Sequence, residues 1–401
     1  MDTFISLPNS KSKKLLKDQH ASGGVDIISK LSDNILLYIL SFLPISDVLR
    51  TAALSKRWKY LWASIFDIDV DETSYTLVSG METSFLESVE RLLIRRDSSH
   101  VRKFRLILRT SITASRVISW VFATLLYKVQ ELELSLPFET LLLLPNALFT
   151  SESLSVLKLD MIIFKVPSLI RLSNLKALHL TVTFPSDEST ERFFSGCPVL
   201  QDLFLDNCSW QHNKRITLSI PTLRTLTIFY CPSFPEKLLD CVITICAENL
   251  MSFECTSYLI FELVLCNLSS LADACIDVTV LSYERQEFPQ RAIELLGGIH
   301  HVKSLTLWSN TLEEFDPESE WSSIVPQCIK FCLKTIRILH LKGSDTELIW
   351  LKYFLGNTNV LERVTILCSE SLQADLEKQK KINNEVQAIR KGLVSCVVEF
   401  L

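Results

Sequence analysis

Between residues 25 and 66, apolar side chains recur at helical spacing in three short bursts, and they outnumber what three such helices can bury against one another. In the first burst Ile35, Leu36, Ile39, Leu40 and Leu43 fall at i, i+1, i+4, i+5 and i+8, with Ser32 and Asp33 as N-cap candidates and Pro44 as the stop. Ser46 or Asp47 is placed to cap a second helix through Val48, Leu49, Ala52 and Ala53, and Ser55 a third carrying Trp58, Leu61 and Trp62. Leu37 and Phe42 lie off the main face. A unit of about forty residues is marginal alone. The surplus apolar surface therefore predicts a partner protein that supplies the missing burial.

From about residue 100 the pattern becomes a hexad, apolar-x-x-apolar-x-apolar, that returns every ~21 to ~31 residues, a leucine-rich-repeat period. It runs through Val101, Phe104, Leu106; Val129, Leu132, Leu134; Leu154, Leu157, Leu159; Leu175, Leu178, Leu180; Leu200, Leu203, Leu205; and Leu223, Leu226, Ile228. Weaker copies end in Cys255, Ile276, Leu307, Ile338 and Ile366. One strand per repeat is predicted, with the last two apolar side chains pointing inward and the residues between and after them facing outward. No single repeat buries its own apolar side, so the units stack into a parallel-stranded α/β solenoid whose strands line a concave face. The competing reading is an ordinary α/β domain with frequent strands. Residues 137–149, 187–194, 235–247 and 288–296 read as returning helices or loops. Asn207 is nearly alone in keeping the asparagine of regular repeats.

Read outward along the hexads, the centre is acidic and aromatic. Asp202, Phe204, Asp206, Phe229, Glu254 and Trp308 are the candidate partner-binding residues, suited to a basic segment with an apolar anchor.

Composition narrows the function. A net charge of −5 over 401 residues argues against nonspecific nucleic-acid binding, which requires a basic surface. With nine glycines there is neither a Gly-x-Gly-x-x-Gly nor a Gly-Lys-Ser/Thr phosphate loop. The twelve cysteines contain no Cys-x-x-Cys pair and read as small buried hydrophobes in a reducing compartment. No signal peptide or membrane-spanning run is apparent, and Pro137 and Pro145 bound the apolar residues 141–144. A soluble intracellular protein, in nucleus or cytoplasm and with no membrane partner, is expected; Lys11, Lys13, Lys14 and Lys17 read as a solvated tail or a nuclear-import patch. The seven histidines form no His-x-x-x-His, and no Gly-x-Ser-x-Gly elbow occurs. No catalysis, cofactor or metal is expected.

The run from Leu31 to Pro44 (Leu-Ser-Asp-Asn-Ile-Leu-Leu-Tyr-Ile-Leu-Ser-Phe-Leu-Pro), followed by Leu54-Ser55-Lys56-Arg57-Trp58-Lys59-Tyr60-Leu61-Trp62, resembles a plant-type F-box. It departs from that family's opening in having Ile27 for arginine and Ser32 for proline. Phe193-Phe194-Ser195-Gly196-Cys197-Pro198 with Asn207-Cys208-Ser209-Trp210 resembles the signature repeat of plant F-box/LRR proteins. Leu333 to Ile338, Leu351 to Asn357, Val360 to Ile366 and the terminal Ser395 to Phe400 resemble an FBD domain, with Leu341-Lys342-Gly343 in place of its usual aromatic-glycine turn.

The resemblance implies a disordered tail (1–24), an F-box (25–66), leucine-rich repeats (67–325) and an FBD segment (326–401) capping the solenoid. It further implies the substrate-recognition subunit of a Skp–cullin–F-box ubiquitin ligase, binding a Skp-type adaptor and through it the cullin–RING machinery. The expected adaptor-binding residues are Leu31, Ile35, Leu36, Leu37, Ile39, Leu40, Phe42, Leu43, Pro44, Val48, Leu49, Leu54 and Trp58. Two alternatives are an F-box/LRR interaction scaffold that never delivers substrate, and a small-ligand receptor. The latter would require a convergent basic cluster beneath the concave rim, which the pattern lacks.

Overall fold

The computed structural model describes residues 28–73, 82–94, 96, 100–110, 112–136, 142–231, 239–279, 291, 295, 297–314, 330–358, 360–390 and 396–400. The expected tail and its lysines lie outside them, as do Pro137, Pro232, Pro235 and most of residues 288–296.

Helices α1 (Asp33–Leu40), α2 (Ile45–Arg50) and α3 (Trp58–Leu61) close on Leu36, Leu40, Ile45, Val48, Trp58, Leu61 and Trp62. Ser32 takes the extended N-cap conformation, without a side-chain cap bond. Helix α2 begins earlier than Ser46 or Asp47 would allow: Pro44, with φ −54°, is its N-cap. Proline's fixed φ suits helix entry, and Asp47 instead occupies the first turn and pairs with Arg50. Arg57 locks the ends of the module together, donating to the Leu31 carbonyl and pairing with Asp33 at 2.6 Å.

The rest of the chain is organised by one thirteen-stranded parallel sheet. In chain order the strands are β1 (Asp67–Asp71), β2 (Lys103–Ile107), β3 (Glu131–Leu136), β4 (Val156–Ile163), β5 (Ala177–Thr183) and β6 (Asp202–Asp206). Next come β7 (Arg215–Ser219), β8 (Thr225–Tyr230), β9 (Val242–Cys246), β10 (Ser252–Ser257), β11 (Glu262–Cys266) and β12 (Asp273–Val278). β13 (Ser304–Trp308), β14 (Thr335–Leu341), β15 (Arg363–Cys368) and β16 (Val397–Phe400) complete the series. The main sheet uses all but β7, β9 and β11, which form a second, three-stranded parallel sheet.

Register holds the hexads in phase. Phe104, Leu132, Leu157, Leu178, Leu203, Leu226, Phe253 and Ala274 stand opposite one another on successive strands and are all buried. Each fully buried leucine contributes roughly 1.5–3 kcal/mol of hydrophobic stabilisation. At the strand entrances one carbonyl per coil accepts two successive N–H groups of the next: Arg102 from Gln130 and Glu131, Lys176 from Gln201 and Asp202, Lys334 from Glu362 and Arg363. The C-terminal segment thus continues the same ladder, with β14 paired to β13.

Behind the sheet, helices Glu82–Ile94 and Ala114–Leu126 back the first strands, and Asp345–Asn357 and Leu376–Arg390 back the last. Between them runs an aromatic spine: Phe149, Phe164, Phe193, Phe194, Phe184, Trp210, Phe261 and Tyr230 follow one another with ring centroids 4.4–6.2 Å apart.

The second sheet corrects the expectation of helix or loop for residues 235–247, which carry β9. Ile243 and Ile245 point in and are buried, while Val242, Thr244 and Cys246 alternate outward, a β-branched period-two segment that favours a strand. Its β7 edge is covered. Carboxylates of Asp187 and Glu191, on helix Asp187–Ser195, accept from the backbone N–H groups of Lys214, Arg215 and Thr217. Asn207 supplies a single rung of the asparagine ladder: at φ 45° its Oδ1 accepts from the Cys231 N–H at 2.9 Å.

Candidate functional site

Two surfaces stand out. On the helical module the expected adaptor face divides in two. Ile35, Tyr38, Ile39 and Phe42 form an outward stripe at i, i+3, i+4 and i+7, joined by exposed Leu43, Pro44, Leu54 and Tyr60. Phe42 is 69% exposed and Tyr38 66%, their rings meeting edge to face at 4.8 Å. Leu31, Leu37 and Leu49 are half-buried against the core. Leu36, Leu40, Val48 and Trp58 are inside it, so these four shape the module and present no surface of their own. Their burial follows from helix geometry, which turns neighbours such as Ile35 and Leu36 about 100° apart. Tyr38 and Tyr60 were not anticipated. The spacing of Tyr38 with Ile35, Ile39 and Phe42 was the available signal.

The second surface is the open face of the main sheet. Asp202, Phe204 and Asp206 lie on β6, Phe229 on β8, Glu254 on β10 and Trp308 on β13. All six face outward, alternating with buried neighbours. Phe204 packs against His179 with ring centroids 5.4 Å apart, and Phe229 stands opposite Asp206 in register, 38% exposed. Trp308 stacks on His340 at 4.8 Å. The Thr225 hydroxyl donates to Asp202 and the Asn207 amide to Asp206. Burial, then the neighbouring Asp160, holds the Asp206 carboxyl above its ordinary range, with Asn207 offsetting part. Burial likewise raises Asp277 on β12, against the pull of His340, and depresses His179, with Lys158 adding to the effect.

The geometry suits binding more than chemistry. Burial pushes the thiols of Cys197, Cys208 and Cys241 up to about 12, which leaves them protonated and unreactive. Among the described residues no three His, Cys, Asp or Glu side chains converge as a metal site, and no helix is long and apolar enough to cross a membrane.

A small helical module is fused to a long parallel-stranded array of the leucine-rich-repeat type. Family models match as an F-box domain over residues 28–66, as the LRR repeats of the FBD-associated F-box protein At5g56370 over 117–259, and as FBD over 320–366. The chain is 32% identical over 311 residues to F-box/LRR-repeat protein At4g14103 of Arabidopsis thaliana, covering 73% of this chain and 80% of that protein. It is 31% identical to F-box/LRR-repeat protein At4g14096, covering 73% and 64%, and 33% identical to F-box/FBD/LRR-repeat protein At4g26340, covering 51% and 49%, both also from Arabidopsis thaliana. The chain belongs to the plant F-box/LRR-repeat family, and carries an FBD segment at its C-terminal end. None of the matched models is a catalytic domain.

Proposed function

We propose that this chain is the substrate-recognition subunit of a Skp–cullin–F-box ubiquitin ligase, holding a Skp-type adaptor on its F-box and a protein substrate on the open face of its repeats. One observation carries the reading: the outward stripe of Ile35, Tyr38, Ile39 and Phe42 sits on a module whose core is continuous with that of the sheet. Helix α2 packs against strand β1 and against helix Glu82–Ile94, and the Arg96 guanidinium donates to the Ile65 carbonyl. Two handles are thereby held at a fixed separation. Such a subunit needs no catalytic group, because holding a substrate near a ubiquitin-charged enzyme makes the transfer effectively intramolecular. Nucleus or cytoplasm is the proposed place of work, consistent with the free cysteines of the described residues.

Replacing Ile39 and Phe42 by glutamate tests the reading, with Leu31→Ala/Pro44→Ala as a milder pair. Co-purification of a Skp-type adaptor should be lost while circular dichroism reports folded repeats. Degradation of a captured partner should stop in the same variant. Persistence of that degradation would refute the ligase role, and a bound partner that is never degraded even by the wild type would assign the chain to scaffolding.

A further inference from the structure

Five strands that neighbour one another in the main sheet, β6, β8, β10, β12 and β13, present Asp202, Asp206, Glu254, Asp273 and Asp277 on the open face and no lysine or arginine. None of these carboxylates forms an ion pair among the described residues. Asp202 and Asp206 meet only neutral donors, and Oδ1 of Asp277 is buried without a partner. A buried carboxylate oxygen with no donor is costly unless a cation arrives. Asp277 and Trp308 each follow directly on the paired Ile276 and Leu307 of adjacent strands, and the indole is held by the stack on His340. A cation at that point would gain from the carboxylate and from the ring face together.

We propose, building on the substrate-recruiting reading above, that this face takes a basic, extended protein segment. An arginine or lysine side chain seats on Asp277 against Trp308, further cations follow toward Glu254, Asp202 and Asp206, and an apolar residue covers Phe229. Charge complementarity selects this occupant. The span from β6 to β13 is four strand steps, ~19 Å at ~4.8 Å each, the reach of about six extended residues.

Proton linkage supports the assignment. The Asp206 and Asp277 carboxyls are raised by burial; Asp160 and Asn207 face the former, and His340, Cys231, Cys255 and Cys275 the latter. The three thiols are themselves raised, chiefly by burial, so they stay neutral. A bound cation favours the ionised carboxylates, so association releases protons and tightens as pH climbs from about 4 through the raised range.

The test uses the full chain and a short fluorescent peptide of arginine, leucine and glycine, beside a counterpart with glutamate for arginine. The arginine peptide should bind about tenfold or more tightly than its counterpart, weaken with added salt, and lose about tenfold in affinity in Asp277→Asn/Glu254→Lys with no loss of thermal midpoint. Equal binding of the two peptides, or indifference to the double substitution, would overturn the inference. So would sedimentation showing a self-associated chain that the double substitution dissociates, because a second copy would then own the face. Adaptor capture is scored in parallel: its failure with peptide binding intact counts against the recruiting role alone, and the reverse against the basic segment alone.

Discussion

Strands β1–β4 and the main-sheet strands β6, β8, β10, β12 and β13 rest on the same buried rows, yet they handle charge on the open face in opposite ways. In the first region Arg105 and Lys158 each have a carboxylate beside them. Arg105 reaches Asp69 at 2.9 Å, Glu133 at 3.0 Å and Asp71 at 3.5 Å, and Lys158 approaches Glu133 at 4.0 Å. Burial alone would raise the Asp71 carboxyl, but hydrogen bonds from Thr73 and the charges of Arg105 and Arg109 outweigh it and hold the group below its usual range. In the second region the carboxylates lack counter-charges, and Asp206 and Asp277 move the other way. Charges satisfied within a sheet serve the fold, whereas charges left unsatisfied on a stable sheet are free to serve a partner.

The largest effects should show what the regions share. Leu134→Ala on β3 and Leu205→Ala on β6 remove side chains that are both essentially inaccessible, and each should cost about 2–5 kcal/mol, read by chemical denaturation. A much smaller loss at one of them would break the premise of a common core. Next in size, Phe229→Ala and Phe204→Ala should each weaken capture of a trapped substrate by about 2 kcal/mol in titration, with little change in stability. A substrate that ignores both would move the contact to the loops at the rim.

Smaller effects sharpen the electrostatic contrast. Arg105→Ala should destabilise by about 1 kcal/mol, discounted for partial exposure and shrinking in high salt, whereas Glu254→Gln should stay within about 0.5 kcal/mol. The smallest effect is a pH dependence of opposite sign. The lowered carboxyl of Asp71 contributes stability present above about pH 4 and lost as pH falls through its folded value. The raised carboxyls of Asp206 and Asp277 contribute stability present below about pH 4 and lost as pH rises toward their folded values. Thermal midpoints followed upward from pH 4 should therefore fall less in Asp206→Asn/Asp277→Asn than in the wild type, and followed downward from pH 4 should fall less in Asp71→Asn. Parallel curves for all three would erase the distinction.

The main sheet was legible because the hexad is a strong local signal: two inward apolar residues per strand are required wherever a neighbour stacks on each side, and Leu203/Leu205 or Ile336/Ile338 announce it directly. Strand β1 precedes the hexad series and went unread, since Ile68 and Val70 alternate with three aspartates and look like loop. Strands β7 and β11 were hidden for a related reason. Each is only five residues long, and Ile216 with Leu218, or Leu263 with Leu265, is too short a pattern to separate from an irregular return. For the helical module, apolar content announced a docking surface but not which residues form it. Five apolar side chains on one eight-residue helix leave the division into inner and outer faces to tertiary packing, which took Leu36 and Leu40 inward and turned Ile35 and Ile39 out. The outward residues of β6 and β8 were readable from alternation, but the stacking of Phe204 on His179 and Trp308 on His340 arises between strands about 25 to 30 residues apart and leaves no local trace.

The small second sheet also removes a reason for the array to bend. Where helices line the back of a repeat array, successive units sit about 8–10 Å apart behind and ~4.8 Å apart in front, and the mismatch bends the array into an arc. Where β7, β9 and β11 line the back, both sides advance by the same ~4.8 Å, and the reason to bend disappears. The unneutralised carboxylates of β6, β8, β10 and β12 lie on the coils that carry this second sheet, between helix-backed strands at both ends. Equal spacing on both sides favours a flatter shelf there, which an extended segment lies along more completely than a rounded domain can.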